Sequence, residues 1–309
     1  MAQIGSPTDW TPAGLAWHGV QSAATQIGAT SSLVTPTSNA DYPADLDAAA
    51  SAGGAVVITV GQQADAPVQA AAAAHPTTQF FEMDVVVPSS APVNVHGLVF
   101  DEAEEGYLGG FVAAWFSTSK MVGMVGDYKT DAHSNNYAAG FQSGAAQARP
   151  GTTVTIAYAG NPDIPASGFS TAAGLVTAGN DVVMASPSLS GIEALRGACG
   201  AKAKLVALDT DAWHTVPDVA SCLIVSVMKR YDSAAAAAIA AAEAGNTMPR
   251  LFVNDVSTGG IALGVFHADL PTGFQASLDA LMDTLRSNPP RPTPVPVPAG
   301  SDSPSASPA

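Results

Sequence analysis

Ala55-Val56-Val57-Ile58-Thr59-Val60 is an unbroken run of apolar or β-branched residues. A strand with one face in water alternates polar and apolar side chains, whereas an unbroken run is typical of a parallel strand covered on both faces. This stretch therefore predicts a parallel sheet with helices packed on each side.

The same pattern recurs along the chain on either side of this run. Strand character is seen at residues 32–35, 78–83, 93–100, 121–125, 153–158, 181–185, 204–208 and 222–228. Helical patterns lie between the strands, at residues 12–26, 64–74, 105–118, 135–148, 171–178, 191–198, 233–244 and 272–287. Strands that alternate with helices predict an α/β fold, and so many strands in one chain fit two doubly wound sheets better than one.

The composition bounds the class of protein. Hydrophobic residues make up 47% of the 309-residue chain and charged residues 12%, which is typical of a globular body. The formal net charge of -15 argues against the basic surface that nucleic-acid binding needs. No apolar run approaches the ~20 residues of a membrane-spanning helix.

Residues 288–309 are rich in proline, and we expect them to form a disordered tail.

Acidic residues follow several predicted strands at the point where the strand ends. Asp84 comes after the strand at 78–83, and Asp209 and Asp211 come after the strand at 204–208. Ligands of open α/β sheets bind beyond the carboxyl ends of the strands, and a carboxylate accepts hydrogen bonds from two neighbouring hydroxyls. These acids indicate a site for a ligand with several hydroxyl groups. The residues leave open the alternative that each acid merely caps the following helix.

Motifs for catalysis and metal binding are missing from the sequence. The chain has no G-x-S-x-G elbow, H-E-x-x-H pair, Walker loop or G-x-G-x-x-G turn. Asp131 with His133, and Asp211 with His214, would each need a further ligand to hold a metal. We therefore expect no catalytic residue, no metal and no cofactor. The acidic residues at 102, 104 and 105 are interpreted as the solvated start of a helix.

A family resemblance rests on several segments that occur in order. Residues 99–110 read Val-Phe-Asp-Glu-Ala-Glu-Glu-Gly-Tyr-Leu-Gly-Gly, which resembles a hallmark segment of the basic membrane protein family. These are substrate-binding lipoproteins of ABC transporters, and they include purine nucleoside receptors. Further similar segments are Lys-Met-Val-Gly-Met-Val-Gly at 120–126, Tyr-Ala-Ala-Gly-Phe-Gln-Ser-Gly-Ala at 137–145, Leu-Asp-Thr-Asp at 208–211, Ser-Val-Met-Lys-Arg at 226–230 and Thr-Gly-Gly-Ile at 258–261.

The resemblance implies a fold of the type I periplasmic-binding-protein kind, with two doubly wound parallel-sheet lobes, a hinge and an inter-lobe cleft. The first lobe would comprise residues 1–102 and 231–250, and the second 103–230 and 251–270. The helix at 271–287 would pack back onto the body.

The resemblance also implies residues that hold the sugar of a nucleoside-like ligand. Asp209 corresponds to the acid expected to hold ribose hydroxyls, and Asp84 to an acid that lines the cleft. Asp211 belongs to the same Asp-x-Asp element as Asp209, and Gly260 to the late Gly-Gly turn. These four residues are predicted to bind the ligand.

The resemblance further implies residues that surround the base of the nucleoside-like ligand. Met184 lies where an aromatic residue commonly covers the base, and Gln3 where an aspartate would recognise it. Asp9 opens the family's Asp-x-Ser-Phe-Asn segment, which reads Asp-Trp-Thr-Pro-Ala here, so that Trp10 would take over the stacking. Trp213 lies near a predicted strand end and also has a ring face suited to stacking.

These features predict a solute-binding receptor that captures a nucleoside-like ligand by hinge closure and then docks on the membrane permease of an ABC transporter. The protein would be a monomer, with no nucleic-acid partner and no enzymatic activity. Two alternatives remain open: a ligand-sensing regulatory protein with the same fold, and a nucleoside-processing hydrolase. The segment after residue 9 also departs from the family's sequence. A further alternative is therefore a protein whose cleft no longer binds a ligand.

The resemblance places the protein outside the cytoplasm, at the cell surface or in the periplasm, and anchored to the plasma membrane in its full-length form. No signal peptide is visible at the start of the printed sequence. Cys199 and Cys222 would form one disulfide in an exported protein, or remain two small buried thiols. The sequence leaves both states open.

Overall fold

The computed structural model describes residues 10–53, 55–245 and 248–287. Gln3, Asp9 and the predicted tail at 288–309 lie outside these ranges. The strands are β1 (Val56–Val60), β2 (Gln79–Met83), β3 (Val95–Phe100), β4 (Met121–Gly126), β5 (Thr153–Tyr158), β6 (Val182–Ala185), β7 (Lys204–Asp209), β8 (Leu223–Lys229), β9 (Leu251–Asn254) and β10 (Ile261–Leu263). The helices are α1 (Pro12–Ile27), α2 (Tyr42–Ser51), α3 (Asp65–Ala74), α4 (Glu102–Phe116), α5 (Ala132–Ala148), α6 (Pro165–Thr177), α7 (Leu189–Gly200), α8 (Ala212–Thr215), α9 (Tyr231–Glu243) and α10 (Phe274–Ser287).

The strands form two sheets, as the sequence predicted. The first has the order β1-β2-β3-β9 and the second the order β10-β8-β7-β6-β4-β5. Pairing is parallel throughout the first sheet and from β8 to β5 in the second. The side chains of β1 are almost all buried, which is the burial that its unbroken apolar run predicted. The α/β class with two parallel sheets is confirmed.

The chain divides into two compact units. One comprises the chain up to Asp101 together with Lys229–Ala262, and the other comprises Glu102–Met228 together with the chain from Leu263 onward. The resemblance assigned all of 251–270 to the second lobe. The structure corrects this for residues 251–262, because β9 pairs with β3 in the first sheet. The other internal boundaries differ from the expected ones by one or two residues.

Each unit has its own apolar core. In the first unit, α2 and α3 bury Leu46 and Val68 against Phe80 of β2. In the second unit, α7 buries Leu195 against Val183 of β6 and neighbouring strands. The helix α10 also belongs to the second unit, where its buried Phe274 packs against aromatic residues of α4. No described helix is long and apolar enough to cross a membrane.

Capping residues account for the ends of α1, and the strands that differ from the sequence prediction are short. The helix α1 begins after Thr11, whose side chain accepts a hydrogen bond from the Gly14 N–H, and it ends at Gly28 in the left-handed conformation. The predicted strand at 32–35 is only an isolated bridge at Val34. β9 and β10 were not predicted because four or three residues are too few to show a period.

Helices α4 and α5 approach each other unusually closely because glycines line their contact. A Cβ atom at Gly140 would lie 1.9 Å from the Ala103 carbonyl oxygen, and one at Gly106 would lie 2.2 Å from the Tyr137 carbonyl oxygen. Gly110 and Gly144 repeat these contacts one turn further along each helix. Only hydrogen fits at these positions, so the backbones of the two helices touch directly.

Glu82 is a fully buried acid on β2. Its side chain has no exposed surface, and within the described residues neither carboxyl oxygen has a hydrogen-bond partner. Burial, with a smaller effect from the charge of Asp65, raises the pKa of Glu82 from 4.5 to about 8. The carboxyl group is therefore protonated in the folded protein at neutral pH.

The cysteines form a disulfide. Cys199 at the end of α7 is bonded to Cys222 just before β8, with 23 residues of sequence separation and a Cα–Cα distance of 5.7 Å. The bond ties the end of a helix to the start of a central strand of the second unit. This settles which of the two states that the sequence left open is present.

Gly140→Ala is expected to destabilise the protein by about 2–4 kcal/mol, because the added methyl group would force α5 away from α4. Gly174→Ala in α6 is the matched control, since a Cβ there meets nothing within 4 Å. The control should be neutral or stabilise by up to about 1 kcal/mol. Urea unfolding measures both changes, and equal stability of the two variants would refute the close contact.

The Glu82→Gln variant is expected to lose less stability than the wild type as the pH rises from 5 to 8. The unfolded carboxyl ionises above its usual pKa of 4.5, whereas the folded one keeps its proton up to about pH 8. Stability due to this group therefore falls between those values, by up to about 1.4 kcal/mol per pH unit. Melting temperatures at pH 5 and pH 8 should differ less in Glu82→Gln than in the wild type. The exposed Asp279→Asn is the control, and an unchanged pH dependence in Glu82→Gln would contradict the assignment.

Candidate functional site

Asp84 stands at the carboxyl end of β2 in the first unit. Its backbone is left-handed, with φ of 59°, a conformation that aspartate tolerates better than most residues. The Nζ of Lys229 lies 3.3 Å from one carboxylate oxygen, and the Tyr231 hydroxyl donates to the other. The Lys229 side chain is only 4% exposed. Both carboxylate oxygens of Asp84 therefore already receive a hydrogen bond from the protein.

Asp209 is the last residue of β7 in the second unit. Its backbone is also left-handed, with φ of 66°. The Tyr137 hydroxyl of α5 donates to its Oδ1 over 2.9 Å, and its own N–H donates to Oε1 of Glu105 on α4 over 2.7 Å. A left-handed residue other than glycine costs about 1–2 kcal/mol, and a typical hydrogen bond contributes about 0.5–1.5 kcal/mol. The hydrogen bond to Glu105 is therefore large enough to offset part of the backbone strain.

The two acids share their geometry. Each ends or follows a parallel strand, has a left-handed backbone and accepts a tyrosine hydroxyl. Asp84 is also paired with the buried Lys229. A carboxylate can accept further hydrogen bonds from neighbouring hydroxyls of a ligand. Both acids are therefore candidates for contact with a hydroxyl-bearing ligand.

Two other strand-end acids support local structure. Asp127, after β4, accepts the hydroxyls of Ser188 and Ser190 at the start of α7. Its burial raises the pKa of its carboxyl group, and those two hydrogen bonds partly oppose the rise. Asp211 caps α8 through the N–H of Trp213. The capping alternative thus describes Asp211, whereas Asp127 ties the end of β4 to the start of α7.

The remaining predicted site residues are spread over the two units. Trp10 is exposed immediately before α1 in the first unit. Met184 is fully buried on β6, facing Gly109 of α4, so it offers no surface to a ligand in this conformation. The carbonyl oxygen of Gly260 accepts the N–H of Arg230.

Trp213 lies on α8, which follows the strand end that carries Asp209. Its ring stacks on that of His267 with a centroid distance of 3.9 Å, and the backbone N–H of His267 donates to the Ile224 carbonyl of β8. Trp213 is 40% exposed, so part of its surface is accessible.

Four residues that no sequence pattern indicated hold the two acids. The expectation of a solvated helix start at 102–105 is wrong for Glu104 and Glu105, which are both fully buried. The sequence carries a signal for this burial, because these acids lie in the first turns of a helix that is apolar on nearly all sides. Tyr137, Lys229 and Tyr231 reach the acids only through the fold, so no sequence spacing indicated their roles.

A groove in the first unit lies away from these acids. It has a volume of about 520 Å³ and is lined by α1, α2, α9 and residues 55–58 at the amino end of β1. The strand-end acids stand at the opposite ends of their strands. No cluster of three or more metal-ligating side chains occurs among residues 10–53, 55–245 and 248–287.

Comparison with known proteins gives one family match. Residues 13–269 match the model of the Bmp family, described as ABC transporter substrate-binding protein PnrA-like. The ABC transporter nucleoside-binding protein BmpA of Lactococcus lactis is 27% identical over 172 residues, which cover 54% of this chain and 48% of that protein. Basic membrane protein A2 of Borrelia garinii is 24% identical over 60% of this chain and 56% of its own length. The chain therefore spans about half the length of these relatives.

Solved structures agree in fold. A solute-binding protein of an ABC transporter system from Aeropyrum pernix superposes with a TM-score of 0.68 at 20% identity, covering 93% of this chain and 90% of that one. One from Conexibacter woesei superposes with a TM-score of 0.71 at 20% identity, covering 91% and 93%. At this identity the likeness establishes the fold, which is that of type I periplasmic-binding proteins.

Asp84→Asn is expected to cost more stability than Asp209→Asn. The first change removes the negative charge beside a buried lysine, with a loss of about 1.5–3 kcal/mol, the contribution of a hydrogen bond to a charged group. The second leaves the Tyr137 and Glu105 hydrogen bonds possible, because an amide oxygen still accepts and the backbone N–H is unchanged. Urea unfolding of the two variants gives the comparison. An Asp84→Asn protein as stable as Asp209→Asn would show that the Lys229 ion pair contributes nothing.

Proposed function

The chain belongs to the Bmp family of PnrA-like substrate-binding proteins of ABC transporters, and from that membership we propose that it captures a nucleoside or a related hydroxyl-rich compound for uptake. The family is described by substrate binding, in agreement with the expectation that the protein is not an enzyme. The observation that carries the proposal is the position of Asp209 at the carboxyl end of β7, where Tyr137 holds its carboxylate and Glu105 its backbone N–H.

The chemistry of Asp209 favours a ligand with neighbouring hydroxyl groups. Its Oδ1 accepts a tyrosine hydroxyl at 2.9 Å, and it lies at the edge of a parallel sheet where ligands of α/β proteins bind. A ribose offers two adjacent hydroxyls to such a carboxylate in short, charge-assisted hydrogen bonds. The nucleoside-binding name of the Lactococcus lactis relative supports the same ligand class.

Asp84 has a different part in the proposal. Lys229 and Tyr231 donate to its carboxylate, so Asp84 presents an oriented, hydrogen-bonded group at its sheet edge. In the proposal this group helps to orient the ligand. Of the other predicted residues, Trp10 remains a proposed stacking residue, since its ring is exposed in the first unit.

The proposed setting is extracytoplasmic, with the membrane permease of an ABC transporter as the partner. The disulfide supports this location, because such bonds persist in oxidising compartments. The net charge of -15 supports a partner other than nucleic acid. We propose that the protein acts as a monomer and, in its full-length form, is anchored at the membrane.

A thermal-shift titration with ribonucleosides tests the proposal. A ligand at 100 times its dissociation constant should add about 2.7 kcal/mol of stability. Asp209→Asn keeps the left-handed backbone accessible but removes the charge, so we expect it to lose most of that shift. Asp279→Asn, an exposed change on α10, should keep the shift in full.

Two results would count against the proposal. One is the absence of a shift with nucleosides, free bases and sugars in the wild-type protein. The other is the appearance of a free base and ribose during incubation, which would indicate a hydrolase instead of a receptor.

A further inference from the structure

Glu105 is an acid in an unusual position. It lies in the first turns of α4, in a helix buried on nearly all sides, and it has no exposed surface. Burying a carboxylate is unfavourable unless it receives hydrogen bonds. Its Oε1 receives one from the backbone N–H of Asp209, 104 residues away along the chain, over 2.7 Å. This helix side chain thus reaches the end of β7 and contacts the residue that the proposed function assigns to the ligand.

We infer that Glu105 is a positioning residue that sets the direction of the Asp209 carboxylate; the inference rests on the proposed function. The N–H of Asp209 is one bond from the Cα that carries the side chain, so its direction and that of the carboxylate are linked. Rotation of that backbone out of the left-handed region would turn both away together. Glu105 opposes this rotation through its hydrogen bond.

A second anchor acts on the side chain itself. The Tyr137 hydroxyl of α5 holds Oδ1 of Asp209 over 2.9 Å. Glu105 and Tyr137 come from the two helices whose glycines bring their backbones into contact, at Gly106 and Gly140. One rigid helix pair therefore holds Asp209 at two points, at its backbone and at its carboxylate. Held in this way, the carboxylate is oriented before the ligand arrives, which lowers the entropic cost of binding.

The chemistry of the contact predicts which substitutions preserve it. The donor is a backbone N–H, so the acceptor at position 105 needs an oxygen but not a charge. Glutamine offers an oxygen at the same reach, whereas methionine fills the space without a comparable acceptor. Glu105→Gln should therefore preserve the position of Asp209, and Glu105→Met should release it.

Isothermal titration with a ribonucleoside gives the first readout. We expect Glu105→Met to raise Kd by about 10-fold or more and Glu105→Gln to change it by less than about 3-fold. Glu104→Met is the matched control, because Glu104 is equally buried on the same helix, and it should leave Kd within about 3-fold of the wild type. In the Asp209→Asn background, Glu105→Met should add little further loss.

Hydrogen exchange of the Asp209 amide, measured without ligand, gives a readout that does not depend on the proposed function. The amide should exchange at least about 10-fold faster in Glu105→Met than in the wild type, while exchange of Val206 on the same strand is unchanged. Glu105→Gln should restore the protection.

These readouts separate the two hypotheses. If the wild type binds no nucleoside but the exchange pattern holds, the ligand class is wrong and the positioning stands. An unchanged exchange rate of the Asp209 amide in Glu105→Met would overturn the positioning role. So would an equal loss of affinity in Glu104→Met and Glu105→Met, or a Glu105→Gln variant that does not keep the protection of this amide.

Discussion

Direct backbone contact between α4 and α5 is the constraint on which the candidate site of the second unit depends. Gly106, Gly110, Gly140 and Gly144 leave room for hydrogen alone, so the distance between these helices has almost no freedom. Glu105 lies next to one of these glycines and Tyr137 three residues before another. The same contact that closes the core therefore also aims a carboxylate acceptor and a hydroxyl donor at the end of β7. Packing and ligand recognition share one structural element here.

The strand-end acids illustrate how tertiary contacts fix the direction of like residues. Asp84 and Asp209 have the same backbone conformation and the same kind of tyrosine donor. Lys229 adds an ion pair to the Asp84 carboxylate, and Glu105 accepts the backbone N–H of Asp209. Each carboxylate is held at the carboxyl end of its strand, where ligands of open α/β sheets bind.

The sequence predicted the features that repeat and missed those that depend on distant partners. The run at 55–60 and its counterparts were sufficient for two parallel sheets, because continuous apolar strands need cover on both faces. β9 was too short to show a period, and its pairing with β3 moved residues 251–262 to the first unit. Acids at strand ends were visible, but only tertiary contacts distinguish the cap at Asp211 from the held carboxylate at Asp209. Charge alone predicts exposure for the acidic residues at 102–105, whereas the apolar helix in which Glu104 and Glu105 lie accounts for their burial.

The most direct test of the central claim is a crystal structure of the protein grown with a saturating ribonucleoside. The account predicts a ribose hydroxyl within about 3.2 Å of the Asp209 carboxylate, with Glu105 still bonded to the Asp209 N–H. A nucleoside bound with its hydroxyls away from Asp209, or an Asp209 backbone released from Glu105 in the complex, would contradict it.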